Sequence, residues 1–338
     1  MSRSLVTGGA GFIGAHLTAE LLSHGDVVTV LDDLSGGFTD NVPAGATLVE
    51  GSICDHELVD DLFAEHRFDH VYHCAAYAAE GLSHFIKRFN YTNNVIGSVN
   101  LINASVNYDV KCFVFTSSIA VYGANQVPMT EAMRPEPEDS YGIAKYAVER
   151  ELAVTHRMFG LPYVIFRPHN VYGEFQNIGD RYRNVLGIFM NQIMQEEPLS
   201  IFGDGEQTRA FSYVGDIVPS IASAPTVEAA WQQVFNIGAD TPYSVNQLAD
   251  AVRAALGAPD HPVRHFPERD EVKHAFSDHS RLREVFGEPR STALDVGIRQ
   301  MAEWARSNGP RASGKFDNIE IERNLPTAWQ TDDSGVGA

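Results

Sequence analysis

The stretch Thr7-Gly8-Gly9-Ala10-Gly11-Phe12-Ile13-Gly14 most narrows the folds open to this chain. It follows a short apolar run, Leu5–Thr7, and opens an amphipathic helix over Phe12–Ser23, with Gly8, Gly11 and Gly14 in the spacing Gly-x-x-Gly-x-x-Gly. Strand, glycine turn and helix in that order present the unpaired N–H groups of a helix N-terminus on a backbone with little side chain in the way, which makes a seat for a pyrophosphate. A second apolar strand, Val27–Leu31, ends at Asp32. A carboxylate there accepts hydrogen bonds from the ribose hydroxyls of a dinucleotide, and a 2′-phosphate would meet its charge, so NAD is expected over NADP. Asp33 reads as a turn residue.

The same rhythm continues through Thr47–Glu50, His56–His66, Val71–Cys74, Phe89–Asn107, Phe113–Ser117, Ser140–Phe159 and Tyr163–Arg167. Short β-branched runs alternating with longer helical stretches imply a parallel sheet covered on both faces. The expected fold class is α/β, a Rossmann-type doubly wound parallel sheet with a smaller C-terminal substrate-binding lobe. We assign 1–172 to the NAD-binding domain and 173–306 mainly to the lobe, with helices around Asn184–Gln195 and Val245–Leu256 and a strand at Leu199–Phe202. Val234–Gly238 is expected to rejoin the main sheet. Residues 307–338 form a polar, Gly-rich tail that packs in part through Phe316, Ile319, Leu325 and Trp329 and frays at its end.

A net charge of −19 argues against nucleic acid or an anionic membrane as partner, since both are bound largely through clustered Lys and Arg. The N-terminus runs straight into strand-like sequence and no apolar run is long enough to span a bilayer, so a cytoplasmic location is expected. Cys54, Cys74 and Cys112 share no metal-ligand spacing, and the 13 histidines include no His-Glu-x-x-His helix. The cysteines read as small buried hydrophobes, and no metal is expected.

In Ser140-Tyr141-Gly142-Ile143-Ala144-Lys145, a tyrosine and a lysine stand at i and i+4, on one helix face within mutual reach. A phenol is a poor base at neutral pH, but a nearby ammonium and a cationic nicotinamide both favour the phenolate, which makes Tyr141 a workable general base. Upstream, Phe113–Phe115 leads into Thr116-Ser117-Ser118-Ile119-Ala120-Val121-Tyr122-Gly123, placing hydroxyls at the carboxyl end of a strand, where ligands of such sheets bind.

On these residues the chain resembles the extended short-chain dehydrogenase/reductases, in particular the nucleotide-sugar 4-epimerase branch. The likeness extends to about residue 305 and includes Arg167-Pro168-His169-Asn170-Val171-Tyr172-Gly173, Ile201-Phe202-Gly203-Asp204-Gly205-Glu206-Gln207-Thr208-Arg209 and Phe235-Asn236-Ile237-Gly238. The resemblance implies that Ser118, Tyr141 and Lys145 are catalytic, with Ser118 and Tyr141 on the sugar 4-hydroxyl. It implies that Phe12, Ile13, Ser52, Ile53, Ala75, Asn94 and Ser117 join the glycines, Asp32, Tyr141 and Lys145 around NAD. Asn94 and Asn170 would line the substrate cleft, and Asn184, Arg209 and Arg269 would hold the uracil or diphosphate of a UDP-sugar. The implied chemistry is transient oxidation: Tyr141 takes the 4-hydroxyl proton, hydride passes from C4 to NAD, the 4-keto sugar rotates, and hydride returns to its other face. The helices Asn93–Asn107 and Ser140–Phe159 resemble those that pair in the family, so a homodimer is expected.

Several positions depart from the family pattern. Ala120 stands where relatives that dehydrate or decarboxylate carry an acidic residue, which favours a simple epimerase over those alternatives. Ser52 replaces an aspartate often set against adenine, Ala210 replaces the usual Asp before Phe-x-Tyr-Val, His169 replaces an aromatic residue, and the segment around Arg269 lacks a common glycine. Arg181 and Arg183 could meet a C6 carboxylate bidentately, so UDP-glucuronate joins UDP-glucose as an expected substrate; pairing of these arginines with Asp180 or Glu174 is the competing reading. A non-catalytic NAD-binding sensor is the alternative from another class.

Overall fold

The computed structural model describes residues 1–124, 126–268, 272–314, 316–326 and 329. Its first half runs β1 (Arg3–Thr7), α1 (Phe12–Ser23), β2 (Val27–Asp32), β3 (Thr47–Glu50), α2 (His56–His66), β4 (His70–His73), α3 (Glu80–Ser83), α4 (Lys87–Tyr91), α5 (Gly97–Asn107), β5 (Cys112–Thr116), α6 (Ser140–Phe159) and β6 (Tyr163–Pro168). The remainder runs β7 (Val171–Tyr172), α7 (Val185–Met194), β8 (Leu199–Phe202), β9 (Thr208–Ala210), β10 (Ser212–Tyr213), α8 (Val214–Ser223), β11 (Gln233–Ile237), β12 (Pro242–Ser244), α9 (Val245–Ala255), β13 (Val263–Phe266), β14 (His274–Ala275), α10 (Ser280–Phe286) and α11 (Leu294–Asn308).

Seven strands pair in parallel in the order β11-β6-β5-β4-β1-β2-β3, a Rossmann-type sheet with the expected segment at Val234 returning as its edge strand. Successive strand residues point to opposite faces, and the sequence fills both faces with apolar side chains. Leu5, Val71, Phe113 and Ile165 pack with Leu62 of α2, Leu101 of α5 and Leu152 of α6. Val6, Tyr72, Val114, Phe166 and Phe235 pack on the other side with Leu17 and Leu21 of α1, Ile217 and Ile221 of α8, and Leu282 of α10. Truncating a fully buried ring such as Phe113 would cost about 3–5 kcal/mol.

The helix expected over Phe89–Asn107 is divided. α4 passes into a five-residue π-type turn, Thr92–Ile96, before α5 begins. The wider turn contains Asn94, whose amide is committed to the Tyr77 backbone, so a local side-chain demand coincides with the break in α-geometry. The lobe has its own core, in which Leu186 and Phe189 of α7, Leu199 of β8, Leu248 of α9, and Ile298 and Met301 of α11 meet. Beyond α11 the chain packs Phe316, Ile319, Leu325 and Trp329 against Ala79, Leu82 and Ile86. Among the described residues no helix is long and apolar enough to cross a membrane, and no group of three acidic, His or Cys side chains is arranged to hold a metal.

Candidate active site

The sheet winds outward in both directions from β1 and β4, and a cleft of about 2510 Å³ opens beyond their carboxyl ends. A single small-molecule pocket is usually well below that volume, so this cleft has room for a dinucleotide and a second ligand side by side.

The glycine loop forms its floor. Gly8 has φ +71°, and a Cβ there would lie 2.8 Å from the Ala75 main chain; a Cβ on Gly14 would lie 2.2 Å from the Gly8 carbonyl oxygen. The turn and α1 therefore meet backbone to backbone. Gly11 caps α1 without a side chain, which leaves the first-turn N–H groups to an anion. Asp32, 8% exposed, accepts from the main-chain N–H of Ala10 at 2.9 Å and of Leu34 at 2.8 Å, and burial raises its pKa. It fixes the glycine loop to the end of β2 and lines the cleft with Phe12, Ile13, Ile53 and Ala75. Glycine cradle and carboxylate together fit the pyrophosphate and ribose of NAD.

The N-terminus of α6 is held by several independent contacts. The Asp139 side chain caps it by accepting from Gly142 N–H at 2.8 Å, Asn90 donates to the Ser140 carbonyl at 2.8 Å, and the Ser83 hydroxyl accepts from Tyr141 N–H at 3.1 Å. Tyr141 thereby stands at the cleft wall, which Ser118 also lines. Lys145 Nζ lies 5.7 Å from the centre of the Tyr141 ring and donates to the Thr116 carbonyl at 2.8 Å. Burial brings Lys145 down to about 8. Burial also pushes the Tyr141 phenol up, with Glu80 adding to the rise, while the Ser118 hydroxyl and the Arg183 charge oppose it.

Of the other expected residues, Ser117 lines the cleft, and Asn94 and Ser52 support its wall. The Ser117 hydroxyl donates to Glu149 Oε1 at 2.6 Å, and Glu149 is clasped by Arg167, so Ser117 fastens α6 to β5. Asn94 is 2% exposed and exchanges hydrogen bonds with the Tyr77 backbone, which shapes the loop after β4. The Ser52 hydroxyl accepts from Cys54 N–H at 3.2 Å, while its neighbours Gly51 and Ile53 line the cleft.

On the lobe side, Asn170, Arg181, Arg183, Asn184 and Arg209 all line the cleft. Asn184 caps α7 by accepting from Leu186 N–H at 3.2 Å and donates to the Val171 carbonyl. Arg209 donates to the carbonyls of Thr208 at 2.9 Å, Lys273 at 3.0 Å and Val272. Arg183 is paired with Asp180, Nε to Oδ2 2.6 Å, and sits 5.0 Å from the Tyr77 ring centre, so the competing reading holds for this arginine. Its guanidinium bridges the cleft: a Cβ on Gly36 would lie 3.3 Å from Nη2. Arg269 falls outside the described residues.

Known proteins resemble this chain in sequence and fold. The model of the NAD dependent epimerase/dehydratase family matches residues 4–238. The chain belongs to the NAD-dependent epimerase/dehydratase family. Among relatives of this family member, the UDP-glucose 4-epimerase of Mycolicibacterium smegmatis is 34% identical over 90% of this chain and 99% of its own. The structure of a Thermotoga maritima UDP-glucose 4-epimerase with UDP-glucose superposes with a TM-score of 0.86 at 35% identity, covering 90% of this chain and 99% of that one. A Bacillus cereus UDP-glucuronic acid 4-epimerase in complex with UDP-glucuronic acid and NAD gives 0.83 at 26% identity, covering 90% and 99%. NAD is the cofactor of this epimerase/dehydratase.

Two positioning sets of this family member escaped the sequence. One is Asp139, Ser83 and Asn90 around Tyr141; only the Asp139 cap has a local signal, an acidic residue immediately before the helix. The other centres on His169, at the cleft. Its Nδ1 lies 3.0 Å from the Ala210 carbonyl, which only accepts, so Nδ1 carries the proton and Nε2 accepts from His279 at 3.0 Å. Asp240 is 2.6 Å from the other His279 nitrogen. Burial, reinforced by His279, lowers His169 to about 3, so it remains neutral.

Proposed function

We propose that this enzyme is a UDP-sugar 4-epimerase acting chiefly on the UDP-glucose/UDP-galactose pair. The observation that carries the reading is that Tyr141, with Lys145 behind it, lines one cleft together with Ser118 and the glycine cradle. Names of the relatives support the same substrate class.

NAD, when bound, supplies reversible two-electron oxidation of the sugar carbinol. Tyr141 removes the proton from O4 as oxidation proceeds and returns it on reduction, with Ser118 sharing the hydrogen bond to O4. Lys145, anchored to Thr116, fixes the ribose hydroxyls and the tyrosine in register. Asp32, Gly8, Gly11 and Gly14 hold the dinucleotide. Because each turnover regenerates it, the cofactor is retained through the cycle. Asn184 and Arg209 face the nucleotide end of the substrate, and Arg269 joins them in this reading.

UDP-glucuronate is the second substrate considered. Arg183 has a carboxylate partner in Asp180, and Arg181 lines the same cleft. A second reaction, elimination after oxidation, has one observation in its favour: Glu80 lies close enough to Tyr141 to raise the phenol's pKa, although Ala120 offers no acid. NMR of purified protein incubated separately with UDP-glucose and UDP-glucuronate tests these readings. A 4-epimer is expected from UDP-glucose; no 4-epimer from either rejects the proposal, and a stable keto product or carbon dioxide would identify the other chemistry.

The enzyme is proposed to work as a homodimer through α5 and α6. Ile143, Val154 and Met158 expose apolar surface along α6, with Ile96 at the start of the neighbouring helix and Phe159 at the end of α6. Light scattering at micromolar concentration should give twice the chain mass, and Val154→Glu with Met158→Glu should halve it.

A further inference from the structure

The segment beyond α11 lies past the part of the chain that carries the family resemblance, yet it is built into the cleft. Asn191 of α7 bonds both the N–H and the carbonyl of Arg311 at 2.9 Å, and the Arg311 guanidinium stacks 3.7 Å from the Phe38 ring centre on the NAD-binding side. Phe316 N–H donates to the Tyr182 hydroxyl at 3.1 Å, and its ring meets Tyr77 at 5.1 Å and Phe89 at 5.0 Å. The Glu320 carboxylate accepts from the N–H groups of Arg88 and Phe89, both at 2.9 Å. These contacts strap the lobe to the NAD-binding domain.

Trp329 is 5% exposed and lines the cleft. Its ring stands 5.3 Å from Tyr182 and 6.1 Å from Phe85, and it lies on Gly81, where an added Cβ would approach the indole to 3.2 Å. Gly81 lies in α3, whose Ser83 hydroxyl accepts from the Tyr141 N–H at 3.1 Å. The indole therefore stands in the cleft lining against α3, the helix that also holds the Tyr141 backbone.

We propose that Trp329 is a specificity-determining residue: with Tyr182 it forms an aromatic wall that admits an unsubstituted hexose and excludes larger or charged ring substituents. The proposal rests on the UDP-sugar reading above. Aromatic faces pack against pyranose C–H groups, whereas a carboxylate or acetamido group turned toward them loses water without gaining a partner.

Substrate competition and fluorescence test this separately from the reaction assignment. In Trp329→Ala the kcat/KM preference for UDP-glucose over UDP-N-acetylglucosamine should fall about tenfold, with inhibition by UDP unchanged, and Trp329→Phe should restore the preference. UDP-glucose, but not UDP, should quench a tryptophan emission component that Trp329→Phe lacks. An unchanged preference in a Trp329→Ala protein of normal melting temperature overturns the proposal, as does an equal loss of UDP binding. Turnover without the sugar-dependent quench also overturns it. Quenching without any 4-epimer would reject the epimerase reading and leave the wall standing.

Discussion

Arg167 and Glu149 form a two-pronged ion pair beneath the Tyr141 helix, with Nε to Oε1 at 2.9 Å and Nη2 to Oε2 at 2.6 Å, and both side chains are 4% exposed. Such a pair gains little over a well-packed apolar pair, but losing one member strands the other charge in the interior. Glu149→Ala should cost about 3–5 kcal/mol in urea denaturation, and combining Glu149→Leu with Arg167→Met should recover most of that. If the single and double variants were equally unstable, the pair would not be the source of the loss.

Burial sets the charge state of Lys145. Its pKa is lowered to about 8, so the ammonium is present below that pH and is lost as pH rises through it. kcat/KM, which reports the free enzyme, should fall on the alkaline side of about pH 8. Lys145→Arg keeps its charge and should move that limb upward even where its absolute rate is low; an unmoved limb would assign the titration elsewhere.

Tyr141→Phe removes the proton carrier and keeps the ring. A loss of about 10²–10⁴ in kcat is expected, with the amount of NAD released on denaturation unchanged. Ser118→Ala should reduce kcat less, since it removes only a partner of the phenol.

Gly14→Ala probes the cradle. Its Cβ would sit 2.2 Å from the Gly8 carbonyl oxygen, which accepts from Gly11 N–H within the tight turn. Destabilisation of about 1–3 kcal/mol and loss of co-purifying NAD are expected. Gly257→Ala, where φ is +67° but nothing lies within 4 Å, should leave NAD content unchanged.

The parts of the site legible in the sequence are those whose geometry is local. Gly8 to Gly14 is one turn and one helix start, Tyr141 and Lys145 are one helical turn apart, and the apolar runs define the sheet. The partners of those residues come from elsewhere in the chain. Asn90 reaches Ser140 across 50 residues, and Glu320 reaches Arg88 across 232. No period or motif encodes such contacts; the fold creates them. The same reason explains why Ser117 and Asn94 carry family-like identities yet spend their polar groups on Glu149 and Tyr77.

The edge strand β11 enters the sheet beside β6 only after the chain has already built much of the lobe, and the chain then leaves to build more of it before α10 returns to pack near Phe235. The two regions are interleaved along the sequence. No single cut yields an intact dinucleotide module, and no contiguous graft transplants the sugar-recognising half from a cousin. New specificity in such an architecture has to arise by scattered point changes or by changes at a chain end, where the strap that carries Trp329 lies.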